Sequence, residues 1–292
     1  MNGVTVAGGI EKGAATNQLF RPQGFFVDDD QTMVIADYGN HRIIQWKIGD
    51  TDGQVVAGGN GKGSEFDQLN SPTDVLIDKE MNRLIICDAM NGRVVQWSRR
   101  NGTTQGEILL DDIKCFRLIM DDQKYLYISD TDENEIRQYR IGDQNGSLVA
   151  GGNGRGDGLN QLNHPQYFFI DQHQTVYVSD FYNHRVMKWN KGSNAGIVIA
   201  GGDGKGSGPT QFSHPTGLFV DTLGTLYVAD SFNHRVMRWP KEAKNGTVIV
   251  GGNGEGTEAN QLNLPTGLFF DRLGNLYVID RENHRIQYFS IE

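Results

Sequence analysis

Apolar residues along this chain fall in short alternating runs, not at helical spacing. Leu226-Tyr-Val-Ala-Asp230, Arg235-Val-Met-Arg-Trp239 and Thr247-Val-Ile-Val-Gly251 are rich in β-branched and aromatic side chains, with Gly, Asn and Asp between them. That is the pattern of antiparallel strands joined by tight turns. With Pro215-Thr-Gly-Leu-Phe-Val-Asp221 they make a unit of four strands, a to d from the inside outwards. An anchor aspartate marks each copy at Asp37, Asp88, Asp130, Asp180, Asp230 and Asp280, at spacings of 51, 42, 50, 50 and 50 residues. Six such units predict an all-β, six-bladed β-propeller of four-stranded antiparallel blades, because radial closure hides the sheet edges.

The chain ends test this expectation. The last unit supplies strands a to c and stops, while Val4-Thr-Val-Ala-Gly-Gly9 matches the d strand Val248-Ile-Val-Gly-Gly252. The N-terminal strand is therefore expected to close the ring against the C-terminal blade. Residues 1–292 read as one domain. The chain begins inside a strand pattern, which leads us to expect a domain excised from a larger protein. Strand c ends on an aromatic in every unit (Trp46, Trp97, Tyr139, Trp189, Trp239, Phe289), expected to pack between blades.

Composition adds limits. The 38 glycines fit the many turns, and the formal charge of −9 argues against DNA as a partner. Cys87 and Cys115 are too few for a disulfide framework and are expected to be free thiols, a single bridge between neighbouring blades being the alternative. No apolar run approaches the ~18 residues of a membrane span, so no membrane insertion is expected. The sequence indicates no compartment. The chain is expected to be a monomer.

Asn40-His-Arg, Asn183-His-Arg, Asn233-His-Arg and Asn283-His-Arg each follow the anchor Asp by three residues. With Leu-Tyr-Val-x-Asp and Pro-x-Gly-Leu, these units resemble NHL repeats over essentially the whole chain. The resemblance implies a propeller whose relatives bind RNA, bind proteins, sense extracellular ligands or, in the peptide-amidating lyases, carry out metal-dependent chemistry. Those lyases are similar in having metal-binding histidines after the strand-a proline. Here the corresponding residues are Gln23, Thr73, Gln166, Thr216 and Thr266, so that activity is not expected.

The other tempting motifs have structural explanations. His41, His184, His234 and His284 occupy one site in four separate blades and are expected to be hydrogen-bonded turn residues. His164 and His214 precede strand-a prolines in adjacent blades, but no third metal ligand is evident. The Gly58-Gly-Asn-Gly-Lys-Gly63 segment and its copies lack the helix that a phosphate loop needs. They read as d-to-a crossovers tied down by Gln18, Gln68, Gln161, Gln211 and Gln261. Arg155-Gly-Asp157 has Lys-Gly-Ser in the same columns elsewhere. Asn101-Gly-Thr, Asn145-Gly-Ser and Asn245-Gly-Thr are glycosylation sequons as well as favoured hairpin turns.

Function is sought where the repeat breaks. Unit 3 is eight residues short, has Ile108-Leu-Leu-Asp-Asp-Ile-Lys114 in place of the glycine-rich crossover, and reads Glu133-Asn-Glu135 at the turn. A notch lined by Asp111, Asp112, Lys114, Asp132 and Glu133 is expected. The column two residues after the proline reads Gly24, Asp74, Arg117, Tyr167, Gly217, Gly267, which places three polar groups around the channel mouth. These features point to a non-enzymatic platform binding a protein or peptide on the crossover face. Arg117 would grip a carboxylate, Tyr167 pack and Asp74 orient, with Lys114, Asp112 and Glu133 nearby; the alternative is that Asp74 and Arg117 only neutralise each other in a water-filled channel. The alternatives are a metal-dependent lyase or hydrolase using the channel, and single-stranded RNA binding beside the basic tips Lys12, Lys62, Arg155 and Lys205, where exposed aromatics are limited to Tyr38, Phe181, Tyr182 and Phe232. No cofactor is expected.

Overall fold

The computed structural model describes residues 1–100 and 102–291, so the Asn101 sequon lies outside the described residues. The described residues form six four-stranded antiparallel sheets. Blade 1 comprises Phe25–Val27, Thr32–Asp37, Arg42–Lys47 and Gln54–Gly58. Blade 2 comprises Asp74–Asp78, Arg83–Asp88, Arg93–Ser98 and Glu107–Asp111. Blade 3 comprises Cys115–Met120, Tyr125–Asp130, Glu135–Arg140 and Ser147–Gly151. The inner strands of blades 4, 5 and 6 are Pro165–Ile170, Pro215–Val220 and Pro265–Phe270. Val4–Gly8 pairs with Arg285–Phe289, with Val4 opposite Tyr288, and completes blade 6. The ring closes as the strand count requires.

The core lies between blades. Val34, Ile43 and Leu69, for example, pack with Val75, Ile86 and Trp97 from the next blade. The six strand-c aromatics are all buried. One expectation needs correcting. Ile108 to Asp111 belong to the outer strand of blade 2, so only residues 112–114 cross to blade 3.

The Asn-His-Arg turns hold the long crossovers. In blade 5, the buried Asp230 accepts from Ser213 N (2.6 Å), Asn233 Nδ2 and Arg235 Nε (both 2.7 Å). Arg235 then donates to the crossover carbonyls of Ser207, Gly208 and Gln211. The same Asp–Arg pair recurs in blades 1, 2, 4 and 6. Each of the four histidines sits in the left-handed region. Its Nδ1 accepts the N–H of the residue before the next blade's proline: Ser71, His214, Leu264 and Arg21. With Nδ1 an acceptor, the ring proton is on Nε2, so neither nitrogen offers a lone pair to a metal. In blade 3, Asn134 Oδ1 takes over this role and accepts His164 N at 2.8 Å. Its crossover is three residues long and needs no arginine tether, which accounts for Glu135 in the arginine column.

This geometry predicts an acid-sensitive joint. Burial holds the His41 imidazole below its ordinary pKa, with Lys62 adding to the effect, whereas an unfolded histidine titrates near about 6.5. Between those values the unfolded chain binds more protons. The stability from His41 is therefore complete above about pH 6.5 and is lost as pH falls through the folded pKa. His41→Asn copies the blade 3 solution without the titration. Its melting temperature relative to wild type is expected to rise as pH drops below about 6.5; a pH-independent difference counts against the joint.

Candidate binding face

Crossovers and b–c turns share one face of the ring, and the inner strands carry side chains to its central mouth. The structure brings Asp74, Arg117 and Tyr167 together there. Asp74, 1% exposed, accepts from Arg117 Nη1 and from Leu118 N, both at 2.8 Å. Burial raises its pKa to about 6 against the pull of Arg117. The Arg117 guanidinium lies 5.5 Å from the Tyr167 ring centroid.

Tyr167 crosses the channel. Its hydroxyl donates to the carbonyl of Gln23 in blade 1, the blade opposite, where Thr266 Oγ1 also donates at 3.2 Å. Glycines in this column make the reach feasible: a Cβ on Gly267 would lie 3.5 Å from that same carbonyl and 2.9 Å from Ile279. The three polar groups thus form a floor across the channel.

Lys114, Asp112 and Glu133 lie away from this floor, on the short crossover and facing turn of blade 3. Thr131 N donates to the Lys114 carbonyl at 3.2 Å, joining the two segments. Asp111, Asp112, Asp132 and Glu133 are exposed and Lys114 is half-buried. Among the described residues, no three His, Cys, Asp or Glu side chains converge as metal ligands would.

Beside the mouth stands an aromatic ridge that the polar column did not indicate. His164 stacks on Tyr182 at 5.3 Å, while His214 lies 4.3 Å from Phe232 and 4.8 Å from Phe181. Phe116 links the ridge to Tyr167 at 5.7 Å. Tyr182 and Phe232 remain 47% and 48% exposed, whereas Phe181 is buried. Burial lowers the pKa of His164, His184 and His214, the last to about 4, so the ridge is uncharged at neutral pH. Across the mouth the surface is ionic. Arg281 donates to Gln23 Oε1 at 3.0 Å and contacts Glu282, which pairs with Arg21 at 3.0 Å. The sequence did hold a signal for the ridge: the two residues after each anchor Asp are Phe181-Tyr182 and Ser231-Phe232 in blades 4 and 5, against Tyr38-Gly39, Ala89-Met90, Thr131-Asp132 and Arg281-Glu282 in the others.

A family model described as a 6-bladed beta-propeller matches residues 29–195, more than half of the chain. The chain belongs to this 6-bladed β-propeller family. NHL repeats match at residues 212–238 and 262–289, in agreement with the turn motifs. No curated protein sequence matches. Among solved structures, the propeller is similar to a protein of unknown function from Bacteroides thetaiotaomicron (15% identity, TM-score 0.76, covering 100% of this chain and 76% of that one). It is also similar to an auxiliary nutrient binding protein from the same organism (13%, 0.74, 99% and 76%). A third is virginiamycin B lyase from Staphylococcus aureus (11%, 0.58, 95% and 97%). At these identities the likeness shows a shared propeller fold alone.

Proposed function

We propose that this 6-bladed β-propeller is a non-enzymatic platform that holds a protein or peptide segment on its crossover face, against the aromatic ridge. One observation carries the reading: an exposed, uncharged ridge of Tyr182, Phe232, His164 and His214 beside a mouth floored by Tyr167. Large aromatics with an apolar body and a polar edge dominate interface energetics. The basic crossover tips Lys12, Lys62, Arg155 and Lys205 ring this face, and Arg155 lies 5.9 Å over Tyr182. An acidic segment bearing one aromatic or aliphatic anchor is the complementary occupant. Arg117, already paired with Asp74, supports the floor, and its Nε is buried without an acceptor among the described residues. Asp112, Lys114 and Glu133 form the neighbouring rim. The lyase-like neighbour favours catalysis in the channel, but Tyr167 occupies the space that a substrate there would need. An auxiliary nutrient binding protein of the same fold supports binding as the general role.

Peptides selected from a random display library on the folded domain test this. The expected consensus is an apolar anchor flanked by Asp or Glu. Affinity should fall about 30-fold, roughly 2 kcal/mol, in Tyr182→Ala or Phe232→Ala, and should weaken with salt. Selected peptides that bind the double variant equally well would overturn the placement. Capture of single-stranded RNA in preference to any peptide would overturn the choice of partner.

A further inference from the structure

The face opposite the crossovers carries a separate feature. An open cavity of about 410 Å³ lies between the a–b turns of blades 3 and 4, within the roughly 300–1,000 Å³ typical of small-molecule sites. Its origin is a local change in the inner strands. Around blades 4 to 6, Phe169, Phe219 and Phe270 fill the corresponding space, with ring centroids 5.0–5.2 Å apart in sequence. The lining of the cavity has Ile119, Met120 and Ile170 instead, which are too small to fill it.

The walls determine what could enter. Asp121, Asp122 and Asp171 line the cavity, and no lysine, arginine or histidine does. Turn hydrogen bonds fix two of these carboxylates. Asp121 Oδ1 accepts Gln123 N and Tyr125 N at 3.0 and 2.9 Å, and Asp171 Oδ1 accepts His173 N and Thr175 N, both at 2.9 Å. Tyr177 donates to Asp171 at 3.3 Å, and burial together with that negative neighbour pushes its pKa up to about 12. Lys124, the nearest cation in sequence, turns to blade 2 and sits 3.1 Å from Glu80. Gln174 Nε2 donates to Gln123 Oε1 at 3.5 Å, joining the two turns at the rim.

We propose that this cavity binds a small organic cation, a primary amine on an aliphatic body. The alkyl part would lie on Ile119, Met120 and Ile170. The ammonium would meet Asp122, whose carboxylate makes no hydrogen bond to the described residues, and the amide oxygens of the rim. The cavity locates the site and its charge selects the ligand.

Calorimetric titration of the intact chain with 1,5-diaminopentane, against 1,5-pentanediol as the neutral match, tests the proposal. The diamine is expected to bind with Kd below about 1 mM at low salt, and the diol at least about tenfold more weakly. Asp122→Asn should weaken the diamine about tenfold, and Ile170→Phe, which installs the residue of the blade 6 column, should abolish binding without lowering the melting temperature. Equal affinity for diol and diamine overturns the ligand class. Undiminished binding in both variants overturns the site, and if Ile170→Phe fails to fold, the Asp122→Asn result decides it alone.

Discussion

Asp230→Ala is expected to cost about 3–5 kcal/mol of stability, the loss typical when one partner of a buried ion pair is removed. Arg235, also buried, would keep its charge with no carboxylate 2.7 Å away. Ser213 N would lose its acceptor as well, and Asn233 Nδ2 one of its two. The crossover between blades 4 and 5 would then be held by Arg235, through its bonds to Ser207, Gly208 and Gln211, and by the Asn233 Nδ2 bond to the Gly206 carbonyl. Denaturant titration measures the loss. Asp230→Ala/Arg235→Met should cost less than the single Asp230→Ala change, because no buried charge remains. A single-variant loss under about 1 kcal/mol would mean that water satisfies the arginine and that the anchor does not hold the loop.

Blade 3 shows the same logic from the other side. Its anchor Asp130 accepts the N–H groups of Asp132 and Glu133, and the arginine column holds Glu135. A reading of Glu133-Asn-Glu135 as a functional departure thus has a plainer basis: the short crossover has no loop for an arginine to tether. Asn134 stays because the contact to the next blade, at His164 N, is still needed.

What could be read from sequence follows the reach of each interaction. Repeats, ring closure, crossovers and turn histidines rest on contacts within a unit or between equivalent positions of neighbours. A 50-residue period exposes these directly. The candidate site depends on contacts without a period. Tyr167 meets Gln23 across 144 positions and through the axis of the ring, and no column spacing reports how far a side chain reaches over glycines. The polar column was identified as a set, but its internal pairing of Asp74 with Arg117 was only one of two readings. The ridge needed the stacking of pre-proline histidines from one blade on turn aromatics, a juxtaposition set by blade-to-blade geometry. The cavity is harder still, since it is defined by what Ile119 and Ile170 fail to fill.

The cysteines are a correction. Cys87 and Cys115, expected to be free thiols, form a disulfide with a Cα separation of 5.3 Å. Cys87 precedes the anchor of blade 2, and Cys115 stands where other blades have the strand-a proline. In blades 3 and 4 the residue before the anchor is a serine that reaches the next blade: Ser129 Oγ donates to the Gln166 carbonyl at 3.2 Å, and Ser179 Oγ to the Thr216 carbonyl. The sequence therefore carried a signal in the column before each anchor, legible once those columns are known to face each other.

Removing the bridge is expected to lower stability by about 3.5 kcal/mol, the chain-entropy value for a closed loop of this size, given a separation of 28 residues. The effect should be local as well as global. Blades 2 and 3 are joined by the three-residue crossover without an arginine tether, so the bridge does there what the loop anchors do between other blades. Asp74 pairs in register with Cys87, and Thr73 Oγ1 donates to the Cys115 carbonyl at 3.2 Å. The mouth floor would therefore loosen with the bridge. Denaturant titration with and without reductant, beside Cys87→Ala/Cys115→Ala, reads both effects: wild type should fall to the stability of the variant when reduced, and the variant should not respond. Two titratable thiols in the non-reduced, unfolded wild type would refute the bridge.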